Sequence, residues 1–313
     1  MKYNKPPLDI QGQCDVLEKR GLIIPDTHRI VNHLENIGYY RLSAYMLPYK
    51  IVGKNEFKSG TTWDNVYDLY VFDRKLRLLL FDTIERIEVG VRSQIIYHLS
   101  LKYGSHWHDN KDIFKPIQKY KKHDKNRYTI DVYDKIQDHI RSIMQSNSTE
   151  VFIKHYKSKY KEPQNPPCWM SVETLYFRHL SLICEGLKDK DDLKKLAAHF
   201  GVKKIEIFNS WLHTINFVRN ICAHHSRLWN RELNIIPAKL LKPDVNKKWI
   251  SNIETIQSSR IYYILCIINY FLQTINPSFK LKDKLMLLFD EFKSIDNRYM
   301  GFPENWEQED IWK

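Results

Sequence analysis

From Thr62 to about Tyr103 the apolar residues Leu69, Phe72, Leu76, Leu79, Leu80, Ile84, Ile87, Val91 and Ile95 recur at spacings of three and four. That is the period of one face of an α-helix, sustained over roughly seven turns. Thr61-Thr62-Trp63-Asp64 carries the signals of a helix start. The same period predicts helices near 168–187, 204–226 and 251–275. Strand signals are sparse. The four segments are therefore expected to pack as one bundle in an all-α fold.

Eight tryptophans, 19 tyrosines and 14 phenylalanines among 313 residues supply ample surface for a core. The stretch Ile261-Tyr-Tyr-Ile-Leu-Cys-Ile-Ile268 falls far below the roughly 20 residues of a membrane span. It reads as a buried core helix. The N-terminal MKYNKPPLDI has no signal-peptide core. Five widely spaced cysteines with no CxxC argue against a disulfide framework or a zinc site and fit a reducing cytosol. The expectation is a cytoplasmic protein that engages no membrane and needs no cofactor or metal.

Residues 1–55 read as an accessory region. The helix after Pro25 is capped by Asp26 or Thr27 and ended by Gly38. Residues 56–313 read as the main domain, interrupted by a basic insertion at about 104–167. The chain carries 49 Lys and Arg against 37 Asp and Glu, a net charge of +12, which favours polyanionic partners. Between Lys115 and Lys161 twelve basic residues face five acidic ones, interleaved with Tyr120, Tyr128, Tyr133, Tyr156 and Tyr160. Such a mixture grips phosphates and stacks on unpaired bases. Lys119, Lys121, Lys122, Lys125, Arg127, Lys154, Lys157, Lys159 and Lys161 are the candidate RNA contacts. The plainer alternative is a solvated, partly mobile insertion.

The segment with the most chemistry is Arg219-Asn-Ile-Cys-Ala-His-His-Ser-Arg-Leu-Trp-Asn-Arg231. On a helix, five positions advance about 7.5 Å and about 140°. Arg219 and His224 thus do not stack on one stripe, but a long arginine lets both reach one ligand. Asn220, His224 and Arg227 share a face at i, i+4 and i+7. Cutting RNA without a metal needs a base for the ribose 2′-OH, a cation for the phosphoryl oxygens and an acid for the leaving 5′-oxygen. Histidine supplies acid or base and arginine a bidentate clamp. Asn220 can orient the imidazole or a phosphate oxygen.

RNxCAHHxRLWNR resembles the signature of the Abi-like family, the AbiD/AbiF group of abortive-infection phage-defence proteins. Gly38-Tyr-Tyr-Arg-Leu-Ser43 with Pro48, Ile87-Glu88-Val89 with Arg92, Pro167 with Trp169 and Glu173, and Met300-Gly-Phe-Pro303 with Trp306 resemble its other marks. Phe177-Arg178 departs from it where relatives often carry a small residue. The resemblance implies membership of the HEPN superfamily of helical nucleases and a HEPN-like bundle. It also implies an endoribonuclease, a hydrolase of antiviral defence, with Arg219, Asn220 and His224 as catalytic residues. His225, Arg227, Glu88 and Arg92 are possible auxiliaries. HEPN nucleases pair two Arg/His motifs across a dimer groove, and this chain has one, so a homodimer is implied. RNA is the implied substrate, with a structured noncoding RNA as a further partner.

Two other readings stand beside it. One is an RNA-binding HEPN protein that does not cut, for example one bound to a noncoding RNA. The other is a DNA-binding regulator, because Asp191–Val202 followed by a helix looks like a helix-turn-helix with Gly201 in the turn.

Overall fold

A computed structural model describes residues 2, 6–120 and 127–313. Lys121, Lys122 and Lys125 lie outside the described residues. The fold is all-α: the described residues form twelve α-helices and a single two-stranded hairpin.

Three short helices come first: α1 (Ile10–Lys19), α2 (Thr27–Asn36) and α3 (Tyr39–Met46). Asp26 caps α2, its carboxylate accepting the Arg29 amide. Gly38 then turns the chain at a φ of 90°, conformational space that suits glycine. His33 binds α2 to the long helix that begins at Trp63. It accepts the Trp63 indole N–H at 3.0 Å and stacks on Tyr67 at 3.7 Å.

The long helix α4 (Trp63–Tyr103) has 41 residues, about 60 Å at roughly 1.5 Å per residue. Thr62 and Asn65 close a capping box at its start, and Gly104 at φ 87° follows its end. It is the axis of the molecule. Packed against it are α3, α8 (Phe177–Gly186), α9 (Lys190–His199), α10 (Ile205–Ala223), α11 (Ile261–Ile275) and α12 (Leu281–Glu291). One apolar cluster runs from Cys14 to Trp312, so α1–α3 share a core with the rest. All five cysteines are buried and free. Among the described residues no helix is long and apolar enough to cross a membrane.

Three sequence expectations need correction. The helix expected from 251 starts at Ile261, because Ile250, Ile253 and Ile256 owe their helix-like spacing to a turn that buries each of them. The helix expected over 168–187 is broken. After α7 (Cys168–Ser171) and a 3-10 turn, Leu175 is extended and its carbonyl accepts a hydrogen bond from Arg92. Phe177 then starts α8 fully buried, and Arg178 is exposed.

The third concerns the basic stretch, where the weak apolar period hid helices: its described residues pack on the core, against the alternative of a solvated, partly mobile insertion. Strands β1 (Ile117–Tyr120) and β2 (Arg127–Ile130) form an antiparallel hairpin. Helix α5 (Val132–Gln145) buries Val132, Ile136 and Ile140 and packs on α8. The contact is so close that a Cβ on Gly186 would sit 2.6 Å from a Val132 methyl. α6 (Val151–Lys159) buries Ile153 and Tyr156. The stripe on α5 is masked in sequence by the charges between its members.

Candidate active site

Helix α10 is anchored by Phe208, Trp211, Leu212, Ile215 and Val218, all fully buried. Its end is not where the apolar pattern suggests. The last helical residue is Ala223, His224 is the C-cap, and His225 is left-handed at φ 55°. The His225 amide donates to the Cys222 carbonyl at 3.1 Å and the Ser226 amide to that of Ile221 at 3.0 Å. These two bonds define a Schellman ending with histidine in the place glycine usually takes. A left-handed non-glycine residue is uncommon, although histidine tolerates the region better than most. Such a conformation persists only where surrounding contacts impose it.

Those contacts can be named. Arg41 donates to the His225 carbonyl at 2.7 Å. Arg227 donates to the Ala44 carbonyl at 2.9 Å, and Arg231 to the Arg227 carbonyl at 3.1 Å. Asn230, also left-handed at φ 51°, accepts from Arg260 at 3.0 Å. Beneath them the Asp73 carboxylate accepts the amides of Leu228 at 3.1 Å and Trp229 at 2.6 Å. It also accepts the Tyr45 hydroxyl at 2.7 Å and pairs with Arg77. Asp73 is fully buried and Arg77 nearly so. Burial pushes the Asp73 carboxyl upward, while Arg77, Tyr45 and the two amides pull it down. The nearby Cys222 thiol is pushed up to about 12 by burial, which makes it an inert core group.

Asp73, Arg77 and Tyr45 were not among the sequence candidates. A signal existed: Asp73 and Arg77 fall among Leu69, Phe72, Leu76 and Leu80, on the apolar side of α4. Charges at i, i+4 on a buried stripe must pair with something.

This scaffold presents the motif side chains outward. His224 is exposed, and Asn220 and Arg219 are half-buried. The Arg219 guanidinium lies 5.6 Å over the Phe81 ring of α4. Among the described residues, none of the three side chains makes a hydrogen bond or ion pair within the chain. Their polar atoms are available to a ligand. Arg227 is different. It does not share a face with Asn220 and His224, because the helix stops before it and its guanidinium is held by α3.

The other auxiliary residues separate in the same way. Glu88 and Arg92 pair at 2.9 Å, and Arg92 also reaches the Leu175 carbonyl at 2.9 Å and lies 3.9 Å from Glu173. They brace α4 against the turn before α8. No hydrogen bond or ion pair joins them to Arg219, Asn220 or His224 among the described residues.

Of the candidate RNA contacts, Lys119 is paired with Glu185 at 2.6 Å. Arg127 lies at the hairpin. Lys154, Lys157, Lys159 and Lys161 are exposed along and beyond α6. Tyr128 and Tyr160 are exposed as well, whereas Tyr156 is buried and Tyr133 packs against the core. The Tyr156 hydroxyl donates to the carbonyls of Pro163 and Asn165. Those two rings are spent on the fold.

The helix-turn-helix reading fails on geometry. α9, the turn at Gly201 and α10 exist, but the supposed recognition helix is packed against α4, α8 and α9. Ile207, Phe208, Trp211 and Leu212 are buried and cannot line a DNA groove. Among the described residues no three His, Cys, Asp or Glu side chains converge as a metal-holding group.

No curated protein and no solved structure matches the chain. A family model does: that of the Abi-like proteins, over residues 32–230. The match opens in α2, takes in Tyr45, Asp73 and Arg77, and closes just after the loop they hold. It spans well over half of the sequence, and the chain therefore belongs to the Abi-like protein family.

Proposed function

We propose that this chain is a phage-defence endoribonuclease that cuts RNA without a metal, at a site built from Arg219, Asn220 and His224. One observation carries the reading. Three polar side chains of one motif, none of them in a hydrogen bond or ion pair among the described residues and Arg219 resting only on the Phe81 ring, stand at a helix end whose backbone Asp73, Arg41 and Arg227 hold in a strained turn. A fold that restrains a helix end this heavily while leaving its polar groups unsatisfied is preorganised for a ligand.

His224 takes the proton from a ribose 2′-OH as the 2′-oxygen attacks the adjacent phosphorus. Arg219 stabilises the charge on the non-bridging oxygens, its planar fork suited to two of them. The bond from phosphorus to the 5′-oxygen breaks, and that oxygen takes a proton from a second acid. The products are a 2′,3′-cyclic phosphate and a 5′-hydroxyl. The chain holds one such motif, so the second histidine comes from a second copy. Arg74, Leu78, Phe81, Glu85 and Val89 are all exposed on one face of α4, next to Arg219. This mixed apolar and charged stripe is the surface offered to that copy.

The purified chain, incubated with RNA in EDTA, should cut it. Arg219→Ala and His224→Ala should each lower the rate by at least about a hundredfold, the usual range for a positioned acid, base or oxyanion donor. Both should keep the wild-type melting temperature. A 2′-deoxy sugar at the cut site should block cleavage. Cleavage of the deoxy substrate, or full activity in His224→Ala, would overturn the mechanism. Binding without cleavage would leave an RNA-binding protein instead.

A further inference from the structure

We propose a second ligand site: the cavity between the Asn246–Lys248 turn and the junction of α11 with α12 binds the phosphate chain of a small polyphosphate, such as a nucleoside triphosphate. The cavity has a volume of about 750 Å³, within the range of small-molecule sites. It lies outside residues 32–230, the part that matches the family.

The charge lining it is one-sided. Lys247, Lys248, Lys280, Lys282 and Lys313 line the cavity, and Asp283 is the one acidic side chain among its lining residues. Among the described residues, Lys313 alone of the five is in an ion pair, with Asp310 at 2.7 Å. The Lys248 ammonium donates to the carbonyl of Lys313 and that of Lys282 to the carbonyl of Glu307. Lys280 is exposed with no partner among the described residues. A concave surface carrying one sign of charge focuses its field on a counter-ion.

Lys247 is the decisive residue. Its stem lies flat against Gly201, where an added Cβ would sit 3.0 Å from the lysine Cε and where φ is +77°. Its ammonium stands 5.1 Å over the Tyr270 ring and donates to the Tyr270 carbonyl and the Thr274 hydroxyl. The nearest acid, Asp244, is 3.5 Å from Lys203 and not within ion-pair distance of Lys247. This is a half-buried cation, fixed in place, without a carboxylate. Burial lowers it to about 8, so it is still mostly charged at neutral pH. A phosphate entering the cavity supplies the missing counter-charge. Half-buried Phe279, which already carries Arg86 and Lys284 near its ring, is the aromatic residue of the lining that a base can pack against.

Titration calorimetry on the full chain tests this with inorganic tripolyphosphate and with ATP. One equivalent should bind saturably, and Lys247→Met should weaken binding about tenfold or more, the worth of one charged hydrogen bond. Lys247→Met keeps the stem and removes an unpaired charge, so its melting temperature should not fall. Should it fail to fold, the exposed Lys280→Glu decides, with a weakening of at least severalfold. Equal affinity for both ligands assigns the site to the phosphate chain alone, and tighter ATP binding adds recognition of the nucleoside. Arg219→Ala should bind as wild type does. No saturable binding at millimolar ligand, uptake of many equivalents, indifference to both lysine changes, or loss of binding in Arg219→Ala would each overturn the proposal. Because the last variant separates the two sites, this inference stands or falls independently of the nuclease.

Discussion

Replacing Asp73 with alanine should undo the restraint on the turn that carries the candidate site. The carboxylate accepts Leu228 N–H, Trp229 N–H, the Tyr45 hydroxyl and Arg77 in an environment without solvent access. Its loss strands two amides and a guanidinium. Removing one partner of a buried ion pair typically costs about 3–5 kcal/mol, because the other charge is left uncompensated. The amides add to this, although water entering the space returns part of it. At about 2 °C per kcal/mol for a chain of this size, the melting temperature should fall by roughly 6–10 °C. Thermal unfolding followed by circular dichroism reads that directly. The variant Asp73→Ala/Arg77→Met should be more stable than Asp73→Ala alone, since it removes the orphaned cation. RNA cleavage by Asp73→Ala, measured well below its melting temperature, should drop with it, because the turn positioning His224 has lost its floor. An unchanged melting temperature would refute the energetic argument. A normal cleavage rate in a destabilised Asp73→Ala would refute the claim that this carboxylate positions the site.

If the proposed pairing uses the α4 stripe, Leu78→Glu and Val89→Glu, which change exposed residues on it, should turn the dimer expected in light scattering into a monomer with no change in melting temperature; a wild-type monomer would overturn the pairing, and a dimer that persists in both variants would place the interface elsewhere. His108 is fully buried and burial lowers it to about 4. The unfolded chain therefore binds more protons between pH 6.5 and 4, and stability should be lost as pH falls through that window, by roughly 3 kcal/mol for a shift of this size. His108→Gln should flatten the profile, and an identical acid profile would discount the residue. Replacing Lys154, Lys157, Lys159 and Lys161 with alanine should make the salt dependence of RNA binding shallower by roughly 0.7 in the log–log slope for each lysine that touches a phosphate; an unchanged slope would leave α6 without a role in RNA binding.

Much of the all-α architecture was readable because helices are local. The period of three and four along α4, the Thr62 capping box, the Asp26 cap and the break at Gly38 each depend on residues within a turn or two of one another. Local logic also misled. Ile250, Ile253 and Ile256 have the spacing of a helix but belong to a turn, since burial alone produces that pattern. The opposite error hid α5, whose three core residues are diluted by the charges of its solvent face.

The motif from Arg219 to Arg231 was equally visible as a string of residue types, and those types suffice to suggest phosphodiester chemistry. Which of them remain available to a ligand is a different matter. Arg227 looked like a partner of His224 and is held by the Ala44 carbonyl, 183 positions earlier. His225, a possible auxiliary by residue type, is a left-handed link held by Arg41, 184 positions earlier. Asp73 looked like one more charge on a long helix and carries amides 155 and 156 positions later. Period and capping are written in adjacent residues, so the sequence by itself determined the long helices such as α4 and α10 and the chemical character of the motif. A buried carboxylate must be satisfied by whatever donors the fold brings to it, wherever they lie in the chain. Only the tertiary structure decided that these donors are the amides that shape the turn after α10, leaving Arg219, Asn220 and His224 without a hydrogen bond or ion pair among the described residues.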